Sequence, residues 1–156
     1  MPVIVVERVA APTAEAAVLV GELDAVLNAA YPPDQRHGLP LAVLFQPDIR
    51  FFLARIDAEP AGCGALALSD GVAEVKRMYS REAVRGRGVG KALLARIEAE
   101  ARAAGRESLH VETGIYQTAA IGLYEAWGFV KCAPFGRYAA LPPHRIAGSL
   151  FYRKRL

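Results

Sequence analysis

The segment AVRGRGVGKALLARIEAEA, residues 83–101, places three alternating glycines and three cations directly before an amphipathic pattern rich in alanine and leucine. The apolar residues that share one face of the helix predicted by this pattern are Val89, Leu93, Leu94, Ile97 and Ala101. A helix N-terminus presents unpaired backbone N–H groups and a partial positive charge, and glycine lets a ligand approach the backbone closely. The segment therefore predicts an anion site, and the cations Arg85, Arg87 and Lys91 favour a ligand that carries phosphates.

Three phosphate-binding motifs can be compared with this segment. A P-loop requires Gly-x-x-x-x-Gly-Lys-Ser/Thr, but the Gly-Lys pair here is followed by Ala92, so the metal-binding hydroxyl is missing. The dinucleotide fingerprint Gly-x-Gly-x-x-Gly fails because Lys91 stands where the third glycine belongs. The pattern Arg-x-x-Gly-x-Gly is met by Arg85, Gly88 and Gly90, directly after a predicted strand and at the start of a helix.

Length and composition limit the class of protein. The chain has 156 residues, of which 53% are hydrophobic and 22% charged, and this predicts one soluble domain spanning 1–156. There is no apolar run near the roughly 18 residues that a membrane span requires, and the start resembles no secretory signal, so we expect a cytoplasmic protein. Cys63 and Cys132 lack paired spacing and a histidine partner, so neither a metal site nor a disulfide is expected. The net charge of +3 favours anionic ligands, but the arginines are dispersed, which argues against a nucleic-acid partner.

Periodicity and turn residues predict an alternation of strands and helices. Strands are predicted at 2–9, 50–57, 61–68, 72–80, 107–113, 129–133 and 149–155. Helices are predicted after the N-cap Thr13, after Gly88, at 118–127 and, as a short helix, at 41–45. The three strands between residues 50 and 80 are expected to form an antiparallel meander, and the whole order indicates an α/β (α+β) fold with a mixed sheet.

The glycine-rich segment and its surroundings resemble the GCN5-related N-acetyltransferase (GNAT) family, whose pyrophosphate-binding loop has the pattern Gln/Arg-x-x-Gly-x-Gly/Ala. Residues 73–80, AEVKRMYS, are similar to the fourth strand of that family, and residues 117–129, QTAAIGLYEAWGF, to its Asn-x-x-Ala-x-x-x-Tyr-x-x-x-Gly-Phe signature. The chain departs from this signature at Gln117, which keeps the amide but lengthens its reach. The resemblance covers about residues 72–130 and implies a mixed, mostly antiparallel sheet with splayed central strands, flanked by helices.

The resemblance also implies acetyl-CoA as cofactor and transfer of its acetyl group to an amine. In the family, the pantetheine arm lies in the gap between the fourth and fifth strands like an added strand. The residues that the resemblance assigns to the cofactor, mostly through their backbone, are Met78, Tyr79, Ser80, Arg85, Gly86, Arg87, Gly88, Val89, Gly90, Lys91 and Gln117.

The chemistry requires a base and an acid. An alkyl amine has a pKa near ~10.4, so a side chain must take its proton before attack. Two glutamates are candidates for this base: Glu74 resembles the base of histone-type members, and Glu112 resembles that of the ribosomal-protein N-terminal acetyltransferases. Tyr124 matches the family's acid, which protonates the departing thiolate, although a tyrosine on an apolar helix face can also be an ordinary core residue.

The acceptor is less well defined by the sequence. Family members build the acceptor pocket from two loops, here residues 31–45 and 134–148, with Tyr31, His37, Phe135 and Tyr138 as candidate binding residues. The arginines and histidines of both loops favour a small metabolite or amino-acid-like acceptor that carries a carboxylate or phosphate beside its amine. Acetylation of a protein or peptide amine, a non-catalytic acyl-CoA-binding module and a homodimer all stay open.

Overall fold

The computed structural model describes residues 3–156, in which a seven-stranded sheet is flanked by three α-helices. Along the chain, the strands are β1 (Ile4–Val9), β2 (Ile49–Ile56), β3 (Glu59–Ala67), β4 (Glu74–Ser80), β5 (Ser108–Gly114), β6 (Val130–Lys131) and β7 (Ser149–Arg155). The helices are α1 (Ala14–Ala30), α2 (Val89–Ala103) and α3 (Thr118–Ala126). Residues 1 and 2 lie outside the described residues. The predicted domain includes both of them, and the predicted first strand includes Pro2.

The sheet has the strand order β1-β2-β3-β4-β5-β7-β6. The pair β4–β5 is parallel and the other neighbouring pairs are antiparallel, so the predicted mixed, mostly antiparallel sheet and its β2–β3–β4 meander are confirmed. No helix between residues 3 and 156 combines the length and hydropathy needed to cross a membrane.

Both faces of the sheet are covered by apolar side chains. Successive residues of a strand point to opposite faces, and in β2 Phe52 packs on the α2 side while Phe51 and Leu53 pack on the α1 side. The helix face predicted from the sequence supplies Leu93, Leu94 and Ile97 to the first of these cores, all fully buried. The apolar face predicted for α2 is therefore the face that packs against the sheet.

The termini of the helices follow local signals. Thr13 caps α1, because its Oγ1 accepts a hydrogen bond from the Ala16 amide at 3.1 Å. Helix α2 begins without any side-chain cap, after Gly88 in the left-handed region at φ 90°. The N-terminus of α2 therefore keeps its backbone amides free.

The central strands diverge, as predicted. Strands β4 and β5 pair only at Glu74–His110 and Val75–Val111, and β4 then continues beside β3 alone. The β3–β4 register shifts between Cys63 and Ala65, which leaves Gly64 opposite two residues of β4, a β-bulge. The edge of β4 beyond Val75 is thus open on the side of β5.

The sequence overestimates one strand. Residues 129–133 were expected to be extended, but β6 contains only two residues, which pair with Arg153 and Tyr152 at the edge of the sheet. The pairing stops at Pro134, because proline has no backbone N–H to donate, and residues 136–145 then form two 3₁₀ turns instead of an open loop.

Gly62 on β3 lies where a side chain would collide with the open end of β4. An added Cβ would overlap the carbonyl oxygen of Tyr79 and lie 2.9 Å from the Val89 side chain. We expect Gly62→Ala to lower the free energy of unfolding by about 1–3 kcal/mol, measured by urea denaturation.

The matched control is Gly21→Ala. Gly21 lies inside α1 with open space around it, so alanine there should raise the free energy of unfolding by about 0.5–1 kcal/mol. Equal effects of the two substitutions would contradict the packing described for β3, β4 and α2.

Candidate active site

Two adjoining cavities lie at the open side of β4. The first, which we call the large cavity, has a volume of about 480 Å³ and lies between the end of β4, the start of α2 and α3. The second, the small cavity, has a volume of about 100 Å³ and lies between β4, β5 and the loop at residues 31–38. Both cavities are lined by Leu23, Met78, Gln117, Ala120 and Tyr124. These shared residues mark the point where two ligands can meet.

The glycine-rich turn exposes a row of backbone donors to the large cavity. Gly86 and Gly88 have φ angles of 82° and 90°, which other residues rarely adopt. The amides of residues 86–91 have no hydrogen-bond acceptor among residues 3–156, whereas the Arg85 amide donates to the Glu82 carbonyl at 3.3 Å. Because these free donors coincide with the positive end of α2, the turn has the properties of an anion site.

Gly90 also has a packing role that the sequence did not suggest. An added Cβ at Gly90 would lie 2.7 Å from Leu123 on α3, so this glycine lets the two helices pack closely. The close packing of α2 against α3 therefore favours glycine at this position, in addition to any contact with a ligand.

The predicted cofactor residues gather at the large cavity with one exception. Arg87 is exposed and is not among the lining residues. Gln117 lies at the boundary of the two cavities, and its Oε1 accepts a hydrogen bond from the Tyr31 hydroxyl at 3.3 Å. The other predicted members that line the large cavity are Met78, Tyr79, Ser80, Arg85, Gly86, Gly88, Val89, Gly90 and Lys91.

Tyr124 is a buried side chain that reaches both cavities. Its ring packs at 5.7 Å from that of Phe129, and its hydroxyl has no hydrogen-bond partner in the part of the chain that the structure describes. Burial raises the pKa of Tyr124 well above its usual range, and the nearby charge of Glu112 raises it further. The phenol therefore keeps its proton at neutral pH and can donate it.

The two candidate bases occupy different places. Glu112 lines the small cavity together with Tyr124, and its Oε2 accepts a hydrogen bond from the Ser149 hydroxyl at 2.7 Å. Glu74 lies outside the lining of the small cavity and faces a separate cleft of about 20 Å³. The structure thus brings Glu112, and not Glu74, together with Tyr124.

Glu74 belongs to a buried polar cluster, which we define as Glu74, Lys76 and Tyr138. The Tyr138 hydroxyl donates to Glu74 at 2.7 Å, and Lys76 Nζ donates to Tyr138 and to the His37 carbonyl, both at 2.8 Å. Burial lowers the pKa of Lys76, while the charge of Glu74 acts in the opposite direction. Burial also raises the pKa of Tyr138, with the charge of Glu74 adding to the effect. The cluster ties the loop at residues 31–38 to β4 and to the loop at residues 134–148.

The candidate acceptor residues divide into two groups. Tyr31 and His37 line the small cavity, whereas Phe135 and Tyr138 do not. Phe135 packs against His110 at 4.7 Å and against Tyr138 at 5.3 Å, and both loop rings line the separate cleft beside Glu74. Their aromatic character reflects packing between the loop and the sheet.

Sequence reasoning missed Lys76 and Arg77, which also line the small cavity. Arg77 occupies the bulge in β4 with φ at 55°. No feature of the sequence marks this position as a bulge, since the surrounding pattern predicts a regular strand.

The polar cluster generates a prediction about stability. Tyr138→Phe should lower the free energy of unfolding by about 1–3 kcal/mol, because it leaves Glu74 and Lys76 buried without a shared partner. Thermal and urea denaturation measure this, with Tyr116→Phe as the control, since Tyr116 is exposed. If both variants were as stable as the wild type, the cluster would not hold the loops.

Comparison with known proteins identifies the family. The sequence profile of the Acetyltransferase (GNAT) family matches residues 21–129. The IAA acetyltransferase of Azospirillum brasilense is 44% identical over 159 residues, which cover 100% of both chains. A solved structure from Klebsiella pneumoniae, assigned as an acyl-CoA N-acyltransferase, superposes with a TM-score of 0.77 at 34% identity and covers 98% of this chain and 97% of that one.

A third comparison concerns the fold alone. A GNAT family acetyltransferase from Elizabethkingia anophelis, solved with acetyl-CoA bound, superposes with a TM-score of 0.70 at 18% identity, covering 98% of both chains. Its sheet and helices agree with the fold described above. The family match and the two relatives above 30% identity show that the chain belongs to the GNAT family and is an N-acetyltransferase.

Proposed function

We propose that the protein transfers the acetyl group of acetyl-CoA directly to the primary amine of a small, amino-acid-like acceptor. The observation that carries this proposal is the meeting of the large and small cavities at Tyr124, with Glu112 on the small side. The Azospirillum brasilense relative is named an IAA acetyltransferase, which supports a small-molecule acceptor over a protein or peptide amine.

The large cavity suits acetyl-CoA in three respects. The free amides of residues 86–91 match a pyrophosphate, and Arg85 and Lys91 add positive charge at the rim. The open edge of β4, from Met78 to Ser80, can hydrogen-bond the amides of an extended pantetheine arm. When bound, acetyl-CoA supplies the acetyl thioester that reacts with the amine.

Glu112 serves as the base in this proposal. Most of an alkyl amine is protonated at neutral pH, so a carboxylate must accept a proton at its oxygen before the nitrogen can attack. The hydrogen bond from Ser149 holds Oε2 of Glu112 in place and leaves Oε1 for the amine or for a bridging water.

Tyr124 serves as the acid. Its hydroxyl donates its proton towards the sulfur as negative charge develops there. The raised pKa of Tyr124 keeps the phenol protonated until the thiolate leaves, and the same burial raises the proton affinity of a neighbouring thiolate.

The choice of base is tested by a pair of isosteric substitutions. Glu112→Gln should lower kcat/KM for any accepted amine by about 100-fold or more, with the affinity for CoA unchanged. Glu74→Gln should lower stability, because Lys76 loses its buried counter-charge, but leave kcat/KM of the folded enzyme within a few-fold. Steady-state kinetics and calorimetry of CoA binding measure the two effects. If folded Glu74→Gln, rather than Glu112→Gln, lost kcat/KM by about 100-fold or more, Glu74 would be the base instead.

The role of Tyr124 is tested by Tyr124→Phe and by pH. The substitution should lower kcat by about 100-fold while the affinity for CoA persists. Since the pKa of Tyr124 lies above its usual value, the protonated form required for activity persists as pH rises, and kcat should show no loss from this phenol below pH ~10. An alkaline loss of kcat below that pH that disappears in Tyr124→Phe would contradict the raised pKa. A folded Tyr124→Phe enzyme whose kcat stays within a few-fold of the wild type would contradict the acid role.

A further inference from the structure

We infer that the acceptor carries a carboxylate and that Arg77 is the residue that recognises it. The inference rests on the proposed function, because it names the substrate class of the same site. It starts from the charges around the small cavity, which is lined by Arg36, Lys76, Arg77 and the carboxylate of Glu112, while Glu74 and Asp24 pair with Lys76 and Arg77 from outside the lining. If Glu112 takes the proton of the amine, one positive charge is left without a counter-charge, and an anionic group on the acceptor would match it.

Two of these cations are engaged by the loop at residues 31–38 and its surroundings. Lys76 Nζ donates to the His37 carbonyl and the Tyr138 hydroxyl and lies 3.5 Å from Glu74. Arg36 donates from Nε to the Tyr31 carbonyl at 2.9 Å. Lys76 in particular has no ammonium hydrogen left for a ligand, since it has only three.

Arg77 is different, because part of its guanidinium is buried without a partner. Its side chain is only 3% exposed, and Nη2 donates to Asp24 and, at 3.5 Å, to the Val20 carbonyl. Nε is fully buried and has no acceptor among residues 3–156, and its burial closes it to a ligand. Nη1 donates to none of those residues either, and it is not among the fully buried atoms. Because a donor of a charged group is costly to leave unmade, an acceptor that reached Nη1 from the cavity that Arg77 lines would stabilise this arrangement.

The backbone holds Arg77 in an unusual way. Its φ of 55° lies in the left-handed region, which is unfavourable for a residue with a Cβ and easy for glycine. The guanidinium packs directly against the loop of the small cavity, where an added Cβ at Gly38 would lie 3.0 Å from its Cζ. The side chain is therefore fixed before any ligand arrives, which is the preorganisation expected of a recognition group.

The size of the cavity limits the acceptor. Glu112 and Arg77 line the same volume of about 100 Å³, so the amine and the carboxylate must be separated by a short spacer. An α-amino acid or a close homologue meets both requirements.

The experiment compares amino acids with their amides, which have nearly the same shape but no carboxylate. The pairs are L-alanine and L-alaninamide, L-serine and L-serinamide, and L-phenylalanine and L-phenylalaninamide, with phosphoethanolamine as the phosphate probe. In each pair, kcat/KM is measured for wild type and for Arg77→Gln, and the ratio of acid to amide is compared between the two proteins, so that differences in amine basicity cancel. We expect Arg77→Gln to lower this ratio by about 10- to 100-fold, mainly through KM of the amino acid, and Arg77→Lys to restore part of it.

Asp24→Asn is the matched control, because it removes the ion-pair partner of Arg77 and leaves the guanidinium in place. It should keep the preference for the amino acids. Circular dichroism checks that each variant is folded. The inference would be overturned if the acid-to-amide ratio were unchanged in folded Arg77→Gln, that is, if both members of each pair lost activity equally. It would also be overturned if the wild type preferred the amides or phosphoethanolamine. Either result would leave the proposed function intact.

A binding measurement separates this inference from the proposed function. Propionate and propionamide, which are isosteric, are titrated into CoA-loaded wild type, Arg77→Gln and Asp24→Asn by NMR. We expect propionate to bind wild type and Asp24→Asn at least tenfold more tightly than propionamide, and Arg77→Gln to lose that difference. Equal or absent binding of both probes to wild type would overturn the inference. If no amine of any kind is acetylated while propionate still depends on Arg77, the proposed function fails and the anion site remains.

Discussion

The separation of β4 from β5 is the constraint on which the rest of the site depends. These strands pair at two residue pairs and then diverge, so the edge of β4 from Met78 to Ser80 has no strand beside it. The bulge opposite Gly64 bends β4 away at the same point, while β3 continues to hold its other edge. The large cavity opens into this gap, and the uncapped N-terminus of α2 lies at its end. One break in the sheet thereby provides both a slot for an extended chain and a cluster of free amides.

The acceptor side is shaped by buried polar contacts. Lys76 and His37 connect the loop at residues 31–38 to the sheet, and His37 Nε2 lies 2.8 Å from the Arg145 carbonyl of the opposite loop. Because a carbonyl can only accept, His37 carries its proton on Nε2 in this contact. Such a network stabilises a fold only when its members are satisfied together. These contacts hold the loop at residues 31–38 in place, so the small cavity is formed without a ligand. Two of its sides are the diverging strands β4 and β5.

Features fixed by short stretches of chain could be predicted from the sequence, and features fixed by distant contacts could not. The period of α2 and the positions of Gly86 and Gly88 encode the helix and its free N-terminus locally. Glu74 and Glu112 are both strand residues beside a predicted active site, and only the alignment of β4 with β5 and the hydrogen bond of Tyr138 to Glu74 distinguish their positions. Phe135 and Tyr138 lie in a loop that was expected to line the acceptor pocket, but their rings pack against β5 and β7 and border the separate cleft beside Glu74. Arg77 could not be predicted, because its position depends on a bulge that the amino-acid pattern of β4 does not reveal.

An NMR titration of ¹⁵N-labelled protein with coenzyme A tests directly how the pyrophosphate is held. If the free end of α2 binds it, the backbone amide resonances of residues 86–91 and 78–80 shift together, in a saturable way, and those at 86–91 become protected from solvent exchange. The shifts should weaken as salt is raised, since phosphate charge contributes to binding. Two results would contradict the claim that the free end of α2 holds the pyrophosphate. One is saturable binding that leaves the amide resonances of residues 86–91 unchanged, and the other is folded protein that shows no shifts at millimolar coenzyme A.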